Sequence, residues 1–180
     1  FPSDIKNHVL PYIRQRTDFD SMMNARLFAI AAYIIVIMIG GFLLAGVFLN
    51  PFMTIETRGS SLYGIFQPLM SSKAAWIYLV LMSFNLAMSI IPVCYLAAAV
   101  AILKPDEYVA VGAGFFVFYL LFYFTGSLPW IFSYSSLTSE PGRASVGEVI
   151  YHVVFFTICS LAAAKCVKAV MQKRFLNGMD

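Results

Sequence analysis

The sequence predicts an all-α integral membrane protein, a bundle of four transmembrane helices with the N- and C-termini on the same side. Three observations lead there. The chain is 61% hydrophobic and only 12% charged, with a mean hydropathy of +0.81, whereas an average soluble domain is about 45–50% apolar and about 25% charged. Its apolar residues fall in long uncharged runs divided by short polar stretches. Its basic residues are distributed unevenly between those stretches. At 180 residues the chain has room for one membrane domain and no separate soluble one.

Residues 1–26 form a segment on the cytoplasmic or matrix side, 27–170 the membrane domain and 171–180 a C-terminal tail. The first span covers residues 27–49, between Arg26 and the helix stop Asn50-Pro51. Just upstream, Asp18, Asp20 and Ser21 offer oxygens to the free N–H groups of a helix start, so the helix itself is expected to begin near Asp20. The second span, 74–103, is framed by Lys73 and Lys104 and exceeds the roughly 20 residues a bilayer core requires. It must tilt, kink or protrude. Pro92 inside it removes the usual partner of the Met88 carbonyl, and Asn85 and Ser89 lie close enough to help satisfy the local polar groups.

The third span, 108–129, follows Lys104-Pro105-Asp106-Glu107 and ends where Gly126 and Pro129 interrupt regular helix. Trp130 and Tyr134 then lie at an interface, where amphipathic rings are favoured. The fourth span, 147–168, opens at Ser145-Val146-Gly147-Glu148, the S-x-x-E pattern of a capping box. Four spans place Lys6, Arg14, Arg16, Arg26, Lys104, Lys165, Lys168, Lys173 and Arg174 on one side, and only Arg58, Lys73 and Arg143 on the other. Under the positive-inside rule both termini face the cytoplasm, or the matrix or stroma of an organelle.

Chemistry is harder to find. The two histidines, His8 and His152, are too few for a metal or bis-histidine haem site, and Cys94, Cys159 and Cys166 show no C-x-x-C spacing. No run holds a carboxylate or lysine at its centre, which argues against a self-contained proton-coupled carrier. Nucleophile motifs and phosphate loops are missing from the sequence, and no basic groove motif suggests nucleic acid. We therefore expect no enzyme, no cofactor and no metal site.

Two groups of residues remain as candidates. Asn85, Ser89 and His152 are candidate intramembrane polar contacts; Asn85 and Ser89 share one helical stripe with Pro92. Arg14, Arg16, Lys168, Lys173 and Arg174 are candidate contacts for anionic lipid headgroups such as cardiolipin. Small residues recur at four-residue spacing, as in Ala97 and Ala101 or Ala110 and Gly114, and permit close helix approach. The third span is ringed by Phe115, Phe116, Phe118, Tyr119, Phe122, Tyr123 and Phe124, which points to contacts beyond a single bundle.

These features together predict a non-catalytic, accessory subunit of a larger membrane complex, with other membrane subunits and lipids as its partners. A respiratory-chain or ATP synthase complex of the mitochondrial inner membrane is the favoured setting, since a start at Phe1 suits a processed import precursor. The alternatives are a small channel or carrier for a neutral solute, with Asn85 and Ser89 lining its path, and a tetraspan membrane scaffold.

Overall fold

A computed structural model describes residues 18–49, 75–104, 106–125 and 146–177. They form four helices: α1 (Phe19–Leu49), α2 (Ala75–Leu103), α3 (Glu107–Thr125) and α4 (Val146–Asn177), with no strand among the described residues. Three of them are long and apolar enough to cross a membrane, over Phe19–Phe48, Leu79–Leu103 and Val149–Arg174. The apolar stretch of α3, Tyr108–Phe124, is shorter.

The helix starts follow from local chemistry. Asp18 caps α1, accepting a hydrogen bond from the Ser21 N–H at 3.4 Å through its carboxylate, while the Met22 N–H donates to its carbonyl at 3.0 Å. The helix thus begins one residue after the first of the acidic residues that announce it. Asp106 does the same for α3. Its carboxylate accepts from the N–H of Tyr108 at 2.8 Å and of Val109 at 3.4 Å, and a negative charge there also meets the positive end of the helix dipole. The Ser145 that would complete a capping box on α4, and residues 126–134 with the expected interfacial rings, lie outside the described residues. At the other end α4 continues through Asn177, well into the segment expected to form a tail.

α2 stays helical through Pro92. Near the proline the polar side chains bond within their own helix. Ser89 Oγ donates to the Leu86 carbonyl at 2.8 Å, and Ser83 Oγ donates to the carbonyls of Leu79 at 2.7 Å and Val80 at 3.0 Å. Such back-bonding lets a hydroxyl sit in an apolar span without an unmet donor.

The helices contribute to two compact units. The first holds α1 up to Ala32, α2 from Ile90, α3 up to Leu121 and α4 from Thr157. Its buried side chains include Met23 and Leu27 on α1, Ile91, Tyr95, Ala99 and Ile102 on α2, and Ala163, Val167 and Met171 on α4. Within each helix these positions recur at steps of three or four, the spacing of one helical face. The second unit holds α1 from Tyr33, α2 up to Ser89, the end of α3 from Phe122 and α4 up to Phe156. Ser83, Ala87, Ser89, His152 and Phe156 are buried in it.

Gly46 marks a close approach of α1 and α2 in the second unit. A Cβ there would lie 2.9 Å from the ring of Trp76 and 3.1 Å from Leu79 Cδ1. The Trp76 side chain is itself exposed and able to swing aside. Gly46→Ala is therefore expected to be near neutral, because helix propensity returns up to about 1 kcal/mol against a small shift of the ring. Gly46→Leu, which cannot be accommodated by that shift alone, is expected to destabilise by about 1–3 kcal/mol in detergent-titration unfolding.

Candidate functional site

Two places in the molecule have the makings of a site. The first is the set of polar side chains in the second unit. Asn85 carries a buried Oδ1 with no hydrogen-bond partner, which is uncommon enough in a native interior to require a reason. His152 is 2% exposed on α4, and its imidazole lies nearly parallel to the ring of Phe156, with centroids 6.1 Å apart and planes at 19°. Ser89 is buried and spends its hydroxyl proton on the Leu86 carbonyl. The sequence-predicted polar contacts therefore fall in one unit, and each has a distinct environment: a ring stack for His152, a backbone bond for Ser89, an unmet acceptor for Asn85.

The orphan Oδ1 makes a specific expectation possible. Replacing Asn85 by leucine removes a buried acceptor whose desolvation is uncompensated, a penalty of about 1–3 kcal/mol. Asn85→Leu is thus expected to leave stability unchanged or raise it, measured by thermal unfolding in detergent. A drop in stability would show that the amide holds its surroundings together.

The second place is in the first unit, where polar groups tie three helices together. Tyr95 on α2 is 6% exposed and donates its hydroxyl to the Leu27 carbonyl of α1 at 2.8 Å. Lys168 on α4 pairs with Asp20 on α1 at 3.5 Å. Arg174 on α4 reaches the C-terminus of α2, where its guanidinium donates to the carbonyl of Ile102 and, at 2.9 Å, to that of Leu103. A cation there meets the negative end of the α2 dipole.

Comparison with known proteins gives no matching family model, no matching curated protein and no matching solved structure.

Of the five basic residues read as headgroup contacts, the structure thus finds two in contact with protein: Lys168 with Asp20 and Arg174 with α2. Lys173 is exposed, and Arg14 and Arg16 lie outside the described residues. The tie between Tyr95 and Leu27 gives no signal in the sequence, because its acceptor is a backbone carbonyl 68 residues away. Among the described residues no three His, Cys, Asp or Glu side chains are grouped so as to hold a metal ion, and Cys94, Cys159 and Cys166 are free thiols.

Beside these ties runs an apolar furrow between α2 and α3, with a cavity volume of ≈ 570 Å³. Ala97 and Ala101 line it from α2, Ala110, Gly114, Phe115 and Phe118 from α3. Here the small pairs singled out in the sequence do meet: a Cβ on Gly114 would lie 3.6 Å from the Ala97 Cβ. Neither place assembles a nucleophile with a base. What they offer is shape, apolar surface and a few fixed polar contacts.

Proposed function

We propose that this chain is a non-catalytic, membrane-embedded subunit of a larger assembly, crossing the bilayer four times. The observation that carries the reading is the outward aromatic surface of α3. Phe115, Phe116, Tyr119, Tyr123 and Phe124 are each more than 60% exposed, and Tyr108 is 90% exposed. Rings present large, rigid contact area at little entropic loss, which is why they are enriched at the centres of protein interfaces. A helix with such rings around it suits a position between this chain and a neighbour.

Four crossings fit the dimensions. The apolar stretch of α3, Tyr108–Phe124, rises about 26 Å against a hydrocarbon core of about 30 Å, a mismatch that local thinning absorbs. The three longer helices exceed the core and extend past it or tilt. Four crossings also keep the nine-to-three bias of Lys and Arg, and with it both termini on the positive side. Within this reading we place the chain in the mitochondrial inner membrane, where organelle fractionation tests it, with cardiolipin among its lipids.

The test is extraction of the native membrane in a mild detergent, native gel separation, and mass spectrometry of what co-migrates. Stable co-migration in a large complex is the expected result. A monodisperse, stable species containing this chain alone overturns the proposal. The unmet acceptor of Asn85 favours a second reading, a path for a neutral solute through the second unit. Flux in proteoliposomes that disappears in Asn85→Leu would establish it in place of the first.

A further inference from the structure

We propose that the furrow between α2 and α3 retains one acyl chain of an anionic glycerophospholipid, with the lipid phosphate held by Lys104. The inference rests on α2 and α3 lying in a bilayer. It does not depend on protein partners.

The furrow is a consequence of residue size. Ala97 and Ala101 face Ala110 and Gly114, none of which reaches beyond Cβ, so the space alongside the helix contact is left unfilled. A Cβ added at Gly114 would stand at van der Waals distance from the Ala97 Cβ, so no more than a methyl group fits between the helices at that point. An unfilled apolar furrow forfeits dispersion contacts along its whole lining, and a lining without polar partners does not retain water. In a bilayer the available filler is an acyl chain. The ≈ 570 Å³ volume lies within the ordinary range of sites that hold small ligands, about 300–1,000 Å³.

Charge selects the headgroup. The furrow reaches Ala101 near the end of α2 and Ala110 near the start of α3. Lys104 follows Ala101 by three residues, just past the last residue of α2, and its N–H continues the helical bonding by donating to the Val100 carbonyl at 3.0 Å. Its ammonium is exposed and engaged in no ion pair or hydrogen bond among the described residues. Arg174 is committed to the carbonyls of Ile102 and Leu103, Lys168 to Asp20, and the Asp106 carboxylate to the N–H groups of Tyr108 and Val109.

The test uses the full chain, reconstituted in mixed phosphatidylglycerol and phosphatidylcholine of identical acyl chains, then extracted and weighed by native mass spectrometry with its retained lipid. The wild type is expected to favour phosphatidylglycerol by about fivefold, the effect of one lysine near an anionic headgroup. Lys104→Gln should abolish the preference while still retaining lipid, and Lys104→Arg should keep it. Ala110→Leu, which fills the furrow, should lower retention of both lipids, with helical content and monodisperse elution confirming the fold. Equal retention of the two lipids by the wild type overturns the proposal, as does an unchanged preference in Lys104→Gln or undiminished retention in Ala110→Leu. Failure of the chain to float with liposomes would instead remove the membrane reading itself.

Discussion

Truncating Phe156 to alanine is expected to destabilise the folded chain by about 3 kcal/mol, the lower end of the range for Phe→Ala in a packed core. The side chain is 1% exposed and is among the largest fully buried groups in the described residues. Its ring stacks on His152 and meets Phe155 edge-on, with centroids 5.3 Å apart and planes at 76°. In water the loss would combine a transfer term with a cavity term. In a bilayer the transfer term nearly vanishes, since lipid tails are as apolar as the protein interior. The lost ring contacts and the cavity remain, which is why the lower end applies. Ile158 on the same helix provides the contrast: it is 60% exposed, and Ile158→Ala should change stability by no more than about 0.5 kcal/mol. Unfolding of both variants by SDS titration from mild detergent measures the difference. Equal effects would mean that the exposed and buried faces of α4 are misassigned.

That contrast bears on what could be read before the structure. The helices themselves were legible, because an uncharged run of this length has few other uses. Asp18 announced the start of α1 through side-chain chemistry that acts within one turn, and the structure shows Asp106 acting in the same way on α3. The buried faces were not legible. Periodicity identifies the inward stripe of a helix only when the outward one is polar, and around α2 or α3 the two faces are equally apolar. Ile102 is fully buried while Leu103 beside it is 65% exposed, yet composition alone treats them alike. Small-residue spacing carried more information: Ala97 and Gly114 do mark a close contact, though nothing in the spacing said that a furrow would open beside it. The polar stripe of Asn85 and Ser89 was visible as well. Only coordinates show that Ser89 satisfies itself against Leu86 whereas the acceptor of Asn85 is left over.

Arg174 illustrates the same limit and carries the second large effect. Read as sequence, it is one more cation in a basic C-terminal stretch, suited to a headgroup. In the structure it answers a question posed by α2, whose last carbonyls have no partner inside the helix. The Val100 carbonyl accepts from the Lys104 N–H at 3.0 Å, and the Lys104 carbonyl accepts from the Asp106 N–H at 2.8 Å. The Ala101 carbonyl has as its would-be partner four residues on Pro105, which carries no N–H, and those of Ile102 and Leu103 both accept from the Arg174 guanidinium. A single planar cation thus closes the end of α2 and fixes α4 against it. Arg174→Gln removes the charge and the fork of donors together, and is expected to destabilise the chain by about 1.5–3 kcal/mol, the range for hydrogen bonds to charged groups. Arg174→Lys keeps the charge near the helix terminus but offers a point donor on a flexible stem, so about half of the loss should be recovered. Hydrogen exchange gives the local readout: amides in the last turn of α2 should exchange faster in Arg174→Gln, while those around Ser83 and Ala87 keep their protection. Unaltered exchange and stability in Arg174→Gln would show that water caps α2 as well as the guanidinium does, and would return Arg174 to the pool of cations available for lipid.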